Sequence, residues 1–342
     1  MKYNYIYFNA VSNKRKNNHN EYNYICLKDV EIMDNVNLVS YPLDYANYTI
    51  RWLYSIITSD RLKKFFPLLI KKMWYPFYFK DNFSNNNPVA FIVADTYLTN
   101  DYLKYLRLRY PGCRLIKVCR DLVKVSERQD EYKLEDMKKN FDLIMSFDRY
   151  ESEREGLVYF QEIESKIDIN PSLDAPKYDI FFAGVAKDRW PRLLKAYKIF
   201  TSAGLKCHYY IVNLPKEQQI ELEGVEYSNK PLEYTEMLQR SIDSKCLLEI
   251  NQSGAVGYTS RFLEAVMYNK KLITDNYSII DDKFYNPKYI QCVKNVDDID
   301  TEFVKSTEEV NYNYKDEFSP IHLIEQIDRE LTELDIRETN NV

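Results

Sequence analysis

Two short stretches carry the residue types that could hold an anion or a sugar. In "AGVAKDRW", residues 183–190, an apolar run ends at Gly184 and a helix begins a few residues on, with Lys187 and Arg189 between them. Glycine lets a backbone turn closely, and two cations beside a helix N-terminus suit phosphate oxygens. The plainer reading is a solvated strand-to-helix loop with ordinary surface charges. In "SGAVGYTSRFLEAV", residues 253–266, Ser253, Gly254, Gly257, Tyr258, Thr259 and Ser260 precede another helix. Thr259 or Ser260 is an N-cap, and Glu264 follows about one turn in, between Leu263 and Ala265. A carboxylate there gains from the helix dipole alone, yet it can equally accept two hydrogen bonds from the hydroxyls of a sugar or ribose.

These loops need a scaffold, and the apolar pattern supplies one. Residues 1–170 contain strand-like runs at 23–27, 89–95, 114–120 and 141–148, with a helical segment at 100–112 stopped by Pro111 and Gly112. Such runs alternating with helices indicate a buried parallel sheet. The second half repeats the logic, with strands at 178–184, 206–212, 245–250 and 270–274 and helices at 189–204 and 234–243 between them. The expected fold is α/β, two doubly wound domains facing each other across a cleft. The proline-bearing stretch 168–179 is the expected linker. The domains are then 1–172 and 173–318, and the helix of 319–342, with Ile321, Ile324, Ile327, Leu331 and Leu334 at helical spacing, packs back on the first. Ligands of open parallel sheets bind beyond the carboxyl ends of the strands, which directs attention to the loops 183–190, 212–216 and 250–260.

Composition narrows the chemistry. The 342 residues are 45% apolar or aromatic and 29% charged, an ordinary globular balance that two domains can bury. A net charge of −5 and the lack of a nucleic-acid motif argue against DNA or RNA as a partner. The six cysteines are scattered with no CxxC pair, which reads as reduced core thiols. Neither a signal peptide nor an apolar run long enough to span a bilayer is evident, so a cytoplasmic location is expected.

The order and spacing of "YDIFFAG" and "CLLEINQSGAVGYTSRFLEAVMYNKKLIT" resemble the donor-binding half of bacterial GT-B glycosyltransferases, particularly those of capsule and surface-polysaccharide synthesis. The resemblance spans roughly 178–275 and rests on Gly257, Tyr258, Glu264 and Ala265. It implies two Rossmann-like domains and a nucleotide-sugar donor. Lys187 and Arg189 would lie on the diphosphate, with Gly184, Thr259, Ser260 and Arg261 around it and Glu264 on the ribose. The acceptor would be a glycan or a polyprenyl-diphosphate-linked glycan. No metal or cofactor is expected, because cations and a helix dipole can stabilise the leaving diphosphate, and the "DID" of 298–300 reads as helix-capping acid.

Two departures matter: Val256 stands where retaining members carry a second glutamate, and Arg261 stands where proline is common. Retention and inversion both stay open. An inverting enzyme needs a general base, and Asp95, Asp121 and Asp148, each near the end of an expected strand, compete for the role with simple capping. His19, His208 and His322 form no evident dyad. The cation- and aromatic-rich segment 60–80, with Phe65, Phe66, Trp74, Tyr75, Phe77, Tyr78 and Phe79, suits contact with an anionic membrane surface from the cytoplasmic side, or else packs its rings in the core. An epimerase of the same architecture, or a non-catalytic nucleotide-sugar-binding partner of an assembly complex, would share these features.

Overall fold

A computed structural model describes residues 1–9, 20–39, 48–57, 72–94, 98–123, 133–252 and 257–340. The chain divides into two compact units, residues 1–163 with 319–342, and residues 164–318.

The first unit is built on a parallel sheet whose strands, among the described residues, are ordered β2-β1-β3-β4-β5-β6. They are β1 (Asn4–Phe8), β2 (Val36–Val39), β3 (Val89–Val93), β4 (Arg114–Cys119), β5 (Leu143–Ser146) and β6 (Val158–Tyr159). All five residues of β1 are buried, because it lies between β2 and β3 and is covered on both faces. Its period-2 alternation sends Ile6 and Phe8 into one cluster with Phe91, Val93 and Leu115. Tyr5 and Tyr7 go to the other, with Ile92, Ile116 and Val118.

Among the described residues before 163 the helices are α1 (Asn20–Cys26), α2 (Tyr48–Ile57), α3 (Asn100–Arg109), α4 (Leu134–Asn140) and α5 (Arg149–Glu155). Residues 23–27, expected as a strand, lie mostly in α1. A short apolar run does not distinguish the two states, and the place beside β3 is taken by β1. The chain's last helix, Pro320–Asn340, belongs to this unit and buries Leu323, Ile324, Ile327 and Leu331 among the tyrosines of β1. Its carboxylates satisfy groups at the N-terminal sheet edge: Tyr5 donates to Asp328 at 2.6 Å, and Arg114 meets Asp335 and Glu338, each at 2.5 Å.

The second unit carries β7 (Tyr178–Val185), β8 (Cys207–Val212), β9 (Val225–Ser228), β10 (Ser244–Glu249), β11 (Lys271–Thr274) and β12 (Ile290–Cys292), all parallel and ordered β12-β11-β10-β7-β8-β9. Counted within the unit this is 3-2-1-4-5-6, the Rossmann order, whose reversal point lies between β7 and β10. Helices α6 (Trp190–Ser202), α7 (Tyr234–Ile242) and α8 (Ser260–Met267) connect strands, α9 (Thr301–Lys305) follows β12, and Pro320–Asn340 is α10. Trp190, Leu193, Tyr197 and Phe200 of α6 cover one face of the sheet. Phe262, Leu263, Val266 and Met267 of α8 cover the other. The expected linker 168–179 lies inside this unit, where Ser172 donates to Asp243 at 2.5 Å.

Candidate functional site

The C-terminal ends of β7, β10 and β11 bring together most of the residues singled out in the second half of the sequence. Gly184 sits near the end of β7 because Arg189 passes directly over it: a Cβ there would stand 2.8 Å from the guanidinium. Arg189 donates to the carbonyls of Val185 at 3.0 Å and Ile250 at 2.8 Å, tying the β7 loop to the end of β10, and lies 5.2 Å above the Phe182 ring. Burial, followed by repulsion from Arg261, lowers its pKa. Lys187 is exposed, adopts a left-handed φ of 43°, and donates to the Gln252 side chain at 2.9 Å. A non-glycine residue in that region is held there by its surroundings.

Arg192, on the first turn of α6, was not singled out. It donates to Asp275 at 2.7 Å and to the Asn251 carbonyl at 2.6 Å, while Asp275 accepts from the Asn251 amide at 2.8 Å. Three cations from one strand-to-helix segment therefore line the switch point.

On the β10 side, Thr259 is the N-cap of α8, its hydroxyl accepting from the Phe262 amide at 3.3 Å. Ser260 is exposed as the first helical residue. Gly257 has φ 98°, which an L side chain rarely adopts, and its carbonyl accepts from Asn276 at 2.8 Å. Tyr258 donates to Asp282 at 2.6 Å and stacks on Phe262. Glu249, the last residue of β10, was also missed. It is buried and accepts from the hydroxyls of Thr259 and Thr274. Burial pushes its carboxyl up in pKa, against the pull of those two donors. The one signal in the sequence was an acid closing an otherwise apolar strand.

Glu264 is not at an edge but in the core, 1% exposed. Arg261, expected at the ligand or on the surface, turns inward to meet it. The guanidinium donates to Glu264 Oε2 at 2.6 Å, to Ser241 at 3.0 Å and to the Ala183 carbonyl at 3.3 Å, 5.7 Å from the Phe181 ring. Every residue of α8 after Ser260 is buried, so the helix has no solvent side to which Arg261 could turn, and a buried charge is retained only when paired. Burial raises the Glu264 pKa, and Arg261 opposes the shift. Its second oxygen, Oε1, has no hydrogen-bond partner. Val256 and its neighbours 253–255 lie outside the described residues.

Along the same edge, the loops after β8 and β9 enclose a pocket of about 380 Å³ lined by Asn213, Pro215, Lys216, Tyr227 and Asn229. His208 is buried on β8 and hydrogen-bonds to Glu226 at 2.8 Å and Arg240 at 3.0 Å, a structural cluster outside the site.

The base candidates separate. Asp148 is buried and caps α5, accepting from the Glu151 amide at 2.6 Å. Asp121 is exposed just past β4, and Asp95 lies outside the described residues. Of the segment 60–80, residues 60–71 lie outside the described residues, Phe65 and Phe66 among them. Tyr75 and Phe79 are core residues, because β1, β3 and α3 present an aromatic face to them, Trp74 is buried against Tyr54 of α2, and Phe77 is 39% exposed. Among the described residues, no cluster of acids, histidines or cysteines could hold a metal ion, and no helix is long and apolar enough to cross a membrane.

No protein-family model and no curated protein matches this sequence. Solved structures do resemble its fold. A Listeria monocytogenes protein assigned as a UDP-N-acetylglucosamine 2-epimerase aligns over 97% of both chains at 10% identity with a TM-score of 0.52. A sucrose-phosphate synthase of Thermosynechococcus elongatus aligns over 97% of this chain and 99% of its own at 9% identity and 0.49. At such identities the likeness concerns the backbone alone. Together with the two parallel sheets and the Rossmann strand order of the second unit, the likeness to the first of these structures establishes that the chain has the GT-B fold, two Rossmann-like α/β units.

Proposed function

We propose that the protein is a glycosyltransferase that binds a nucleotide-sugar donor on its second unit and transfers the sugar to a surface-polysaccharide acceptor carried on a lipid diphosphate. The observation that carries this reading is the gathering of Lys187, Arg189 and Arg192 at the switch point between β7 and β10, beside the capped N-terminus of α8. Positive charge and the positive end of a helix dipole at that place favour a diphosphate, and no metal is required of them. Glu264 would accept ribose hydroxyls through Oε1. Since that oxygen is covered, the ribose must displace what covers it, and binding is then coupled to a local opening. The pocket beyond β8 and β9 has room for the base. Asp121 or Asp95 would take the acceptor proton, and the exposed Lys72, Met73 and Phe77 side of the first unit would approach the lipid surface.

A thermal-shift series with UDP, GDP, ADP and CMP tests the donor site. A nucleotide bound at about 100 times its Kd stabilises the folded state by about 2.7 kcal/mol. If none of them raises the melting temperature, the donor-site reading is wrong. With the matching nucleotide sugar, slow hydrolysis without acceptor supports a transferase, an isomerised sugar identifies an epimerase, and binding without turnover leaves a non-catalytic partner. Cosedimentation with anionic vesicles, lost when Phe77 is changed to Asp, tests the surface contact.

A further inference from the structure

The first unit has two pockets that the proposed reaction does not use. One, of about 300 Å³, is walled by the rings of Tyr75, Phe79, Tyr105 and Tyr110, with Lys80, Asp81 and Arg109 at its rim. The other, of about 410 Å³, is lined by Val36, Asn37 and Leu38 of β2, with Glu31 and Asp34 on one side and Phe83 on the other. Asn82 lines both, so the segment Lys80–Phe83 is a ridge shared by two adjoining depressions. Their position is informative. Arg109 and Tyr110 end α3 just before β4 begins, Glu31 and Asp34 precede β2, and Asn82 and Phe83 precede β3. This is the N-terminal edge of the sheet, whereas open parallel sheets react at their C-terminal edge. The depressions are therefore separate from the catalytic edge of their own unit.

We propose that they form a non-catalytic groove that holds sugar rings of the glycan acceptor. The polymeric acceptor is taken from the proposed function, and the groove's chemistry is argued independently of it. Tyrosine rings offer flat apolar faces, and Tyr105 and Tyr110 are only partly buried, so each leaves ring surface to a ligand. The rim mixes donors with acceptors: Lys80 and Arg109 against Asp81 in the first pocket, Asn37 and Asn82 against Glu31 and Asp34 in the second. Every sugar hydroxyl is both donor and acceptor, so a mixed rim suits it. A nucleic acid or a phosphorylated ligand is disfavoured, because the second pocket has two acids and no base. Both volumes fall within the range of small-molecule sites, roughly 300–1,000 Å³. Two such sites in a row bind a repeating chain better than either alone, through effective concentration.

Saturation-transfer NMR on the full chain tests the groove, with methyl glucoside, galactoside, mannoside, rhamnoside and N-acetylglucosaminide and the hexamers of cellulose and chitin as probes, and UDP as control. At least one probe should receive saturation from the protein, the hexamer more strongly than its monomer. Tyr110→Ala should weaken that binding about tenfold. Asn82→Trp, which fills the groove from an exposed position and leaves the core intact, should abolish it. The UDP signal should not change in either variant. Absence of binding by all seven glycans overturns the proposal, and so does wild-type binding by Asn82→Trp. Glycan binding in a protein that binds no nucleotide would refute the transferase reading and leave the groove standing.

Discussion

The pair Arg261–Glu264 permits a quantitative test, because the structure gives it a core role that its position in the sequence does not suggest. The side chains are 10% and 1% exposed and 2.6 Å apart. Arg261→Met removes the charge while retaining a flexible apolar chain, and leaves Glu264 ionised in the core with only the Ser241 hydroxyl nearby. Removing one member of a buried pair costs about 3–5 kcal/mol. With a urea m-value of about 2 kcal/mol/M, the transition midpoint should fall by about 2 M. Glu264→Gln, which keeps an acceptor for Arg261, should cost about 1–3 kcal/mol. The double change to Met at both positions should recover most of the loss, since an apolar pair carries no desolvation penalty.

Trp190, buried at the start of α6, reports this unit specifically in a Trp52→Phe/Trp74→Phe background. The pH dependence has a definite sign. A Glu264 pKa raised above its unfolded value near 4.3 means that stability is full below that value and declines as pH rises through the folded pKa. Arg261→Met raises that pKa further, so the gap to wild type should be wide at about pH 7.5 and narrow at about pH 5. A variant within about 0.5 kcal/mol of wild type at the higher pH would refute the buried-pair argument and place the Glu264 carboxylate in contact with water.

Other consequences are simpler to state. Gly184→Ala brings a methyl group to 2.8 Å from the Arg189 guanidinium and 3.3 Å from the Phe182 ring, so stability should fall by about 1–3 kcal/mol as the guanidinium is displaced. Arg189 must leave its carbonyl partners, and titration calorimetry should then show about tenfold weaker nucleoside-diphosphate binding. Thr259→Val removes both the α8 cap and a donor to Glu249, and should lower stability by about 2 kcal/mol in chemical denaturation. Burial opposes ionisation of Asp335, but Lys2, Tyr3 and Arg114 hold its pKa down to about 2. The stability this contributes is complete above the unfolded value near 3.9 and is lost as pH falls through about 2. Hydrogen exchange in α10 should therefore accelerate over that interval, and in Asp335→Asn it should already be fast at neutral pH.

The fold was readable where the signal is local. Apolar runs marked β3, β4, β5, β7, β8, β10 and β11, and the threonine cap with the glycine before it marked the start of α8. Those features depend on period, capping and φ, which a short stretch of chain carries by itself. Strand β1 and helix α1 show the limit: both are tyrosine- and asparagine-bearing apolar segments, and only competition for a place beside β3 decided between them.

The site divides in the same way. Residue types alone placed Gly184, Lys187 and Arg189 at a strand end beside a helix, because glycine and cations in a strand-to-helix loop have local meaning. The contacts that turn Arg261 inward, to Ser241 and the Ala183 carbonyl, the hydroxyl pair on Glu249 and the Arg192–Asp275 bridge arise between separate segments of the chain. In sequence α8 carries a polar stripe of Ser260, Arg261 and Glu264 that reads as a solvent face, so only packing against β7 and α7 determined that Arg261 and Glu264 point into the core.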